Sequence, residues 1–158
     1  MGKDVEHRGS CHCGAVQFKI LAPIEVDRVS KCNCSYCSRK GFLIYFVLED
    51  NFELIRGEDS LTRYTFATCY INHYFCKVCG VQCFNQMTVK ASRVKKSFEY
   101  LHSSTKVPEE SEMISVRGIL QVACLEDSFS YKEVVRFNGK LLNSTDSSNL
   151  DDLFLDTF

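Results

Sequence analysis

Seven of the ten cysteines lie in three tight clusters, and these are the residues whose types and spacing could do chemistry. The clusters are Cys11-His-Cys13, Cys32-Asn-Cys34-Ser-Tyr-Cys37 and Cys76-Lys-Val-Cys79. Thiolates bind zinc tetrahedrally; four protein ligands usually make a structural site, whereas three leave a position open for water or substrate. Because four cysteines would close one site and leave three, the count predicts one site that holds the fold and another that can act.

The composition favours a reducing compartment, where clustered cysteines bind metal. The first ten residues are polar and lack the apolar core of a signal peptide, and no apolar run approaches the roughly 18 residues of a membrane span. We therefore expect an intracellular protein, cytoplasmic or nuclear, with no membrane partner. Cytosolic thiols stay reduced, so metal binding is favoured over disulfides. The formal net charge of −1 argues against nucleic acid as a partner.

Strand-like patterns dominate the segments that must position these cysteines. The chain length of 158 residues suits one domain. Alternation, short apolar runs and turn-forming residues predict strands at 16–20, 42–48, 52–56, 61–66, 70–75, 81–84, 114–124 and 129–137. The run at 42–48 is continuously apolar and predicts a central, buried strand. Helical spacing is weak and confined to 90–101, so we predict a mostly β protein with little helix.

The spacing within the clusters suits a metal. In an extended strand, residues two apart point to the same face, so each C-x-C motif would place two sulfurs side by side. Cys76 to Gly80 suits a tight turn, because Gly adopts the positive φ that such a turn needs. Two such halves from distant segments could close one site and connect the sheet. Spacing leaves open which cluster closes on which.

The middle cluster supplies three thiolates within six residues, and its fourth position is open on sequence grounds. The alternative is that Cys69, Cys83 or Cys124 completes it; otherwise these three are small core residues. No spacing matches the ferredoxin-type runs that bind iron–sulfur clusters. We expect the side chains of three histidines to be hydrogen-bonded or solvated rather than ligands: His12, His73 and His102.

In this order, the cysteine clusters resemble those of the family of glutathione-dependent formaldehyde-activating enzymes and centromere protein V, which has an Mss4-like fold. The motifs that carry the resemblance are Gly9-Ser-Cys-His-Cys-Gly-Ala-Val-Gln-Phe18, Cys32 to Cys37 followed by Arg39 and Gly41, and Phe75-Cys-Lys-Val-Cys-Gly80. Weaker likenesses follow at Ala123-Cys-Leu-Glu-Asp127 and Phe137-Asn-Gly-Lys140. The resemblance covers a zinc domain at 8–142 and leaves 143–158 as a polar, acidic C-terminal tail.

The resemblance implies a mostly antiparallel β fold connected by zinc, with two zinc ions per chain. It implies that the structural zinc is held by Cys11, Cys13, Cys76 and Cys79. It implies that the second, catalytic-type zinc is held by Cys32, Cys34 and Cys37.

The resemblance also implies a reaction, the joining of formaldehyde to the thiol of glutathione. We therefore expect a zinc-dependent carbon–sulfur lyase that acts on a glutathione adduct of formaldehyde or of a related small aldehyde. Since three thiolates weaken the Lewis acidity of the ion, thiol activation is favoured over carbonyl polarisation. The alternative is a non-catalytic zinc module of the centromere protein V type, which binds a protein or chromatin partner. A redox role for Cys76 and Cys79 is disfavoured because the motif lacks a βαβ context.

Overall fold

The computed structural model describes residues 3–92, 94–95, 109, 112–126, 129–142 and 154–157, and most of them form strands. The strands are β1 (Val5–Ser10), β2 (Gln17–Ala22), β3 (Glu25–Cys32), β4 (Tyr45–Leu48), β5 (Phe52–Arg56), β6 (Leu61–Tyr64), β7 (Ile71–Cys76), β8 (Asn85–Lys90), β9 (Met113–Ile119), β10 (Ser130–Phe137) and β11 (Phe154–Thr157). Among the described residues, the α-helices are α1 (Ser35–Lys40), which follows Cys34, and α2 (Gly139–Leu142), and residues 91–92 and 94–95 are also helical. The prediction of a mostly β fold with little helix is confirmed.

The strands form three sheets, and their order explains how distant segments meet. The orders are β1-β2-β5, β11-β10-β3 and β4-β9-β8-β7-β6. Pairing is antiparallel between neighbours, as predicted, except that β3 and β10 run parallel, with Cys32 opposite Phe137. Because parallel strands end at the same edge of a sheet, this pair brings the residues after β10 next to the middle cysteine cluster.

The apolar run at 42–48 contacts two different cores. Phe42, Ile44 and Phe46 belong to a core that also contains Cys32, Cys34 and Cys37, which we name the second core. Tyr45 and Val47 belong to another core that also contains Cys11 and Cys76, which we name the first core. Because side chains of a strand alternate between its faces, burial of both faces requires an apolar residue at every position.

The predicted central position of this run is wrong, because β4 is an edge strand of the five-stranded sheet. Its burial comes from a second neighbour. Ile44 and Ser30 of β3 exchange two backbone hydrogen bonds of 2.8 Å, which continue the strand toward the sheet that contains β3. The continuous apolar pattern correctly predicted a buried strand. Burial alone, however, does not distinguish a strand in the middle of one sheet from a strand at the junction of two sheets.

Strands β1, β3, β8 and β11 were not predicted, and β1 shows why. Its inward residues are His7 and Gly9 rather than aliphatic residues. The His7 ring is fully buried, with Nε2 3.2 Å from the carbonyl oxygen of Ala22. A Cβ atom at Gly9 would lie 2.4 Å from the Phe18 ring. Pairing with β2 and close packing therefore make a strand where hydrophobic alternation is absent.

The predicted strand at 81–84 is wrong, because these residues lie in a loop that has one isolated bridge, from Phe84 to Ile119. The Cys76 N–H donates to the carbonyl oxygen of Val81 at 3.0 Å, so the chain folds back here before β8 begins. In the segment 90–101, where helix was predicted, residues 91–92 and 94–95 are helical and Lys90 ends β8, whereas 93 and 96–101 lie outside the described residues. The domain boundary at residue 142 stays a prediction, and within the expected tail β11 pairs with β10.

In the part of the chain that the structure describes, no helix combines the length and apolar character needed to cross a membrane.

Candidate metal centres

Four cysteines from two distant segments converge in the four-cysteine cluster, made of Cys11, Cys13, Cys76 and Cys79. Their Sγ atoms all lie within 4.8 Å of one another. The Sγ atom of Cys13 lies 3.6 Å from that of Cys11 and 3.7 Å from that of Cys76. Zinc–sulfur bonds of about 2.3 Å at tetrahedral angles place sulfurs about 3.8 Å apart. The donor set and its spacing therefore fit a zinc ion.

Two glycine turns shape this cluster. The Gly80 N–H donates to the carbonyl oxygen of Cys76 at 2.8 Å, and Gly80 has φ +77°, which agrees with the predicted tight turn. A similar turn holds the other pair, where Gly14 has φ +77° and donates to the carbonyl oxygen of Cys11 at 3.2 Å. Cys11 and Cys13 thus lie in a turn after β1, not in the extended strand that the spacing suggested.

Backbone N–H groups lie close to sulfurs of the four-cysteine cluster and favour a thiolate at Cys79. Those of Cys13 and Val81 lower the pKa of Cys79 to about 6, and the N–H of Val16 lies 3.3 Å from the Sγ atom of Cys11. Thiolate is the form that binds metal. Because Cys11 follows β1 and Cys76 ends β7, a metal here would join the sheet that contains β1 to the five-stranded sheet.

The other three clustered cysteines form the three-cysteine cluster, made of Cys32, Cys34 and Cys37, and all three are buried. Cys32 ends β3, Cys34 is the N-cap of α1, and Cys37 lies in the first turn of α1. The Cys37 N–H lies 3.3 Å from the Sγ atom of Cys34, and the Cys34 N–H lies 3.5 Å from that of Cys32. A sulfur thus takes the capping role that Ser or Asp usually fills, and the helix start holds the cluster together.

Thiol hydrogen bonds divide the protons unequally in this cluster. Those from Cys32 and Cys37 lower the pKa of Cys34 to about 2. Hydrogen bonding to Cys34 raises the pKa of Cys32 to about 12. Hydrogen bonds with Cys32 and Cys34 also raise the pKa of the Cys37 thiol. Thiolate is the form that binds metal, so a metal ion at this cluster would take the place of the thiol protons.

The segment after β10 covers Cys32. The Asn33 N–H donates to the carbonyl oxygen of Phe137 at 3.0 Å, and the Asn33 side chain donates to that of Asn138 at 3.0 Å. A Cβ atom at Gly139 would lie only 2.2 Å from the Sγ atom of Cys32. Gly139 begins α2, and its lack of a side chain allows the close approach to sulfur.

A small cavity of about 30 Å³ adjoins the three cysteines. That volume holds one or two water-sized groups. The lining is mostly apolar, and beyond the sulfurs its polar side chains are His73 and Asn85. Within the described residues, no fourth Cys, His, Asp or Glu ligand atom lies within 4.8 Å of all three sulfurs. The cluster therefore offers three ligands and a free side that faces the cavity.

The remaining cysteines do not complete this site. Cys83 hydrogen-bonds to Cys124, which raises the pKa of Cys83, and Cys83 belongs to the first core. Cys69 is exposed, and its thiol lies 3.6 Å from the carbonyl oxygen of Ala67. The prediction that unclustered cysteines are small core residues describes Cys83 but not Cys69.

The histidines differ from one another. His12 is exposed, as expected, and His102 lies outside the described residues. His73 is only 3% exposed, and neither ring nitrogen has a hydrogen-bond partner. The expectation of a hydrogen-bonded or solvated His73 is therefore wrong. A signal was present in the predicted strand at 70–75, where His73 alternates with Ile71 and so shares its buried face.

A β fold with one four-cysteine and one three-cysteine cluster fits a class of domain that binds metal through cysteine. A family model, Glutathione-dependent formaldehyde-activating enzyme, matches residues 6–114, and the chain belongs to this family. All seven clustered cysteines lie within the matched residues. Among solved structures, the chain is similar to a structural-genomics target from Rhodobacter sphaeroides, with 26% sequence identity and a TM-score of 0.52. That likeness covers 79% of this chain and 99% of the other.

Proposed function

We propose that the chain is a zinc-dependent enzyme of the carbon–sulfur lyase type. It would form or cleave the bond between a thiol such as glutathione and formaldehyde or a related small aldehyde. Membership of the family supports a glutathione-related, formaldehyde-activating role. The observation that carries the proposal is the three-cysteine cluster, which is buried, has a free side and faces a small cavity.

Two zinc ions per chain would have different roles. Cys11, Cys13, Cys76 and Cys79 would hold one whose four ligands leave no position for a substrate. A zinc ion held by Cys32, Cys34 and Cys37 would supply an open position that lowers the pKa of a substrate thiol and so provides thiolate near neutral pH. Three cysteine sulfurs donate much charge to the ion, which favours thiol activation over polarisation of the aldehyde.

The cavity supports a small aldehyde. Its volume of about 30 Å³ holds one or two water-sized groups, such as those of formaldehyde beside the thiol sulfur of glutathione, but not a tripeptide. The rest of glutathione would therefore lie outside it. Arg39 and Lys40 are exposed on the last turn of α1, the helix that carries Cys37, and offer cationic partners for the carboxylates of glutathione.

The reaction balances without an oxidant or a reductant. The sulfur of the thiol forms a bond to the carbonyl carbon, and the electron pair of the C=O π bond moves to oxygen. The thiol proton leaves to solvent, and the oxygen takes a proton from solvent, so the product is a hydroxymethyl thioether. The reverse sequence cleaves the carbon–sulfur bond, as a lyase does.

The test is NMR exchange spectroscopy on glutathione and formaldehyde with the intact, zinc-loaded protein. We expect acceleration by the wild-type protein and loss of that acceleration in Cys34→Ser, which removes a ligand of the three-cysteine cluster. Cys69→Ser is the matched control, because Cys69 is exposed and lies outside both clusters. Equal exchange rates for the wild-type protein and Cys34→Ser would reject the enzyme and favour a non-catalytic zinc module that binds a protein or chromatin partner.

A further inference from the structure

His73 is a buried polar side chain that has no partner in the protein. Its ring nitrogens have no hydrogen bond, although the residue is only 3% exposed. Buried polar groups are paired in the great majority of cases, so an orphan of this kind calls for an explanation such as a ligand. The ring lines the cavity that also adjoins Cys32, Cys34 and Cys37. An unpartnered donor and an open metal-binding cluster therefore face the same small space.

Aromatic packing fixes the position of the His73 ring. The ring stacks on Phe66 at 5.2 Å between centroids, with 18° between the planes, and lies 4.6 Å from the Tyr36 ring. Tyr36 lies between Cys34 and Cys37 on α1, and its hydroxyl accepts a hydrogen bond from Gln82. The same helix thus positions the cysteines and one wall of the histidine site, which makes their separation reproducible.

The other polar side chain of the cavity, Asn85, is engaged through its oxygen. The Oδ1 atom of Asn85 accepts the Gly118 N–H at 2.8 Å. Asn85 is also the neighbour of His73 in the pairing of β7 with β8. His73 does not join the three sulfurs as a ligand, since its ring nitrogens are not within 4.8 Å of all of them. Its position suits contact with a substrate that lies between it and the cluster.

A neutral imidazole supplies one N–H donor and one acceptor. Burial favours the neutral form of this ring, because it penalises a charged one. In the proposed reaction, negative charge develops on the aldehyde oxygen as the carbon–sulfur bond forms. A fixed donor beside a mostly apolar lining stabilises such charge strongly.

We propose that His73 is a catalytic residue that donates a hydrogen bond from its ring N–H to the aldehyde oxygen as the thiol attacks. This inference rests on the proposed function and assigns the group that stabilises charge on the aldehyde side. The imidazole keeps its proton throughout: the C–S bond forms, the C=O π pair becomes a lone pair on oxygen, and that oxygen then takes its proton from solvent. In the reverse direction, the same donor stabilises the same oxygen as the carbon–sulfur bond breaks.

The test uses the zinc-loaded protein with two substitutions. His73→Phe keeps an aromatic ring in the stack and removes both nitrogens, whereas His73→Gln keeps an N–H donor. We expect His73→Phe to lower the exchange rate of glutathione with formaldehyde by about 100-fold or more, the loss typical of one removed oxyanion donor. His73→Gln should lose clearly less. The control is His12→Gln, an exposed histidine that should leave the rate unchanged.

Two further measurements separate a donor from a structural residue. Zinc content should stay at two ions per chain in both variants, and the Kd of glutathione from calorimetry should change less than about twofold, because uniform binding is untouched. NMR of protein labelled with the heavy nitrogen isotope at histidine should show a neutral ring whose N–H signal shifts when glutathione and formaldehyde are added together, but not with glutathione alone.

The outcomes of this inference and of the proposed function are distinguishable. If His73→Phe exchanges at the wild-type rate while Cys34→Ser does not, His73 is not the donor and the enzyme proposal stands. If neither substitution changes the rate, the proposed function itself fails. Loss of zinc in His73→Phe, or an equal loss of rate in His73→Gln despite retained zinc, would also overturn the donor role. If His73→Phe does not fold, the rate of His73→Gln and the histidine NMR signal decide the question.

Discussion

The four-cysteine cluster and the three-cysteine cluster use the same ligand but differ in assembly and surroundings. The first joins a turn after β1 to a turn after β7, and its Cys13 is exposed. The second comes from six consecutive residues, and all of its cysteines are buried beside a cavity. Long-range closure adds stability because metal-binding energy becomes folding energy. A cluster formed by six consecutive residues does little to connect the sheets, and its three ligands leave one position of a bound metal free for a substrate.

The difference also concerns solvent. A site with four ligands needs no substrate, so partial exposure of one sulfur does no harm. The three-cysteine cluster has one free side, and that side faces an apolar cavity with an unpartnered His73. Charge developing in such a place interacts more strongly with fixed donors than it would in water. Under the proposed function, the reactive site is thus the buried one, and the site nearer the surface connects the fold.

The largest expected effect follows loss of a ligand that connects two sheets. Cys76→Ser should lower the free energy of unfolding by about 5 kcal/mol or more and leave much of the domain unfolded. Cys34→Ser should reduce zinc to about one ion per chain and largely spare the fold. Circular dichroism on heating, with metal analysis of the same samples, measures both. If Cys34→Ser unfolds as much as Cys76→Ser, the proposal that only the four-cysteine cluster connects the fold is wrong.

Acid should act on the second core through His73. Burial lowers the pKa of His73 to about 4 from an ordinary 6.5. Between pH 6.5 and about 4, the His73 ring is therefore protonated in the unfolded chain and neutral in the folded protein. The stability contribution of this neutral ring is complete above pH 6.5 and falls by about 2 to 3 kcal/mol as the pH drops toward 4. His73→Phe should lack this part of the slope.

Denaturant unfolding of the wild-type protein and His73→Phe across this pH range isolates the effect. Zinc loss in acid affects both proteins, and the comparison of slopes removes it. Parallel slopes would mean that His73 titrates in the folded protein much as it does in the unfolded chain.

A milder perturbation should reach only the three-cysteine cluster. Gly139→Ala places a Cβ atom where only 2.2 Å separates it from the Sγ atom of Cys32, so β10 and α2 must shift away from the sulfur. We expect zinc affinity at this cluster to fall 10- to 100-fold, as for other residues that orient metal ligands, with the four-cysteine cluster unchanged. Chelator competition measures the two affinities. Lys140→Ala, an exposed neighbour, is the control and should behave as the wild-type protein. Simultaneous weakening of both sites would contradict the separation.

The smallest effect is expected at Cys83. This thiol is buried in the first core and pairs with Cys124 rather than with the three-cysteine cluster. Cys83→Ala should cost about 1 kcal/mol of stability through lost packing and leave two zinc ions per chain. Metal analysis together with thermal unfolding checks both statements. Loss of one zinc ion would make Cys83 a ligand after all.

The parts of this molecule that sequence could predict are those with a local signal. The cysteine clusters are local motifs, and β5 was predicted with its observed bounds, Phe52–Arg56, because its flanking turns are clear. The pairing of Cys11 with Cys76 was implied by the family resemblance and could not follow from spacing, since it depends on how two sheets meet. Zinc as the bound metal and the roles of the seven ligands stay predictions.

Contacts between distant segments set the limit of that prediction. The requirement for glycine at 139 arises from a sulfur more than a hundred residues earlier in the chain, which only the parallel pairing of β3 with β10 brings near. The prediction of a hydrogen-bonded or solvated His73 was wrong for a similar reason. Its strand could be predicted, but the absence of any partner for its nitrogens depends on the side chains of several other elements.

The alternation of the run at 42–48 between two cores has a consequence for how this protein can evolve. Adding or deleting one residue within the run would exchange its two sets of side chains, so that Phe46 would face the core of Tyr45 and Val47. Loops absorb such length changes with little cost, but this run has no surface on which an error in register could be accommodated. Divergent members of the lineage should therefore vary in the residues of this segment while keeping its length.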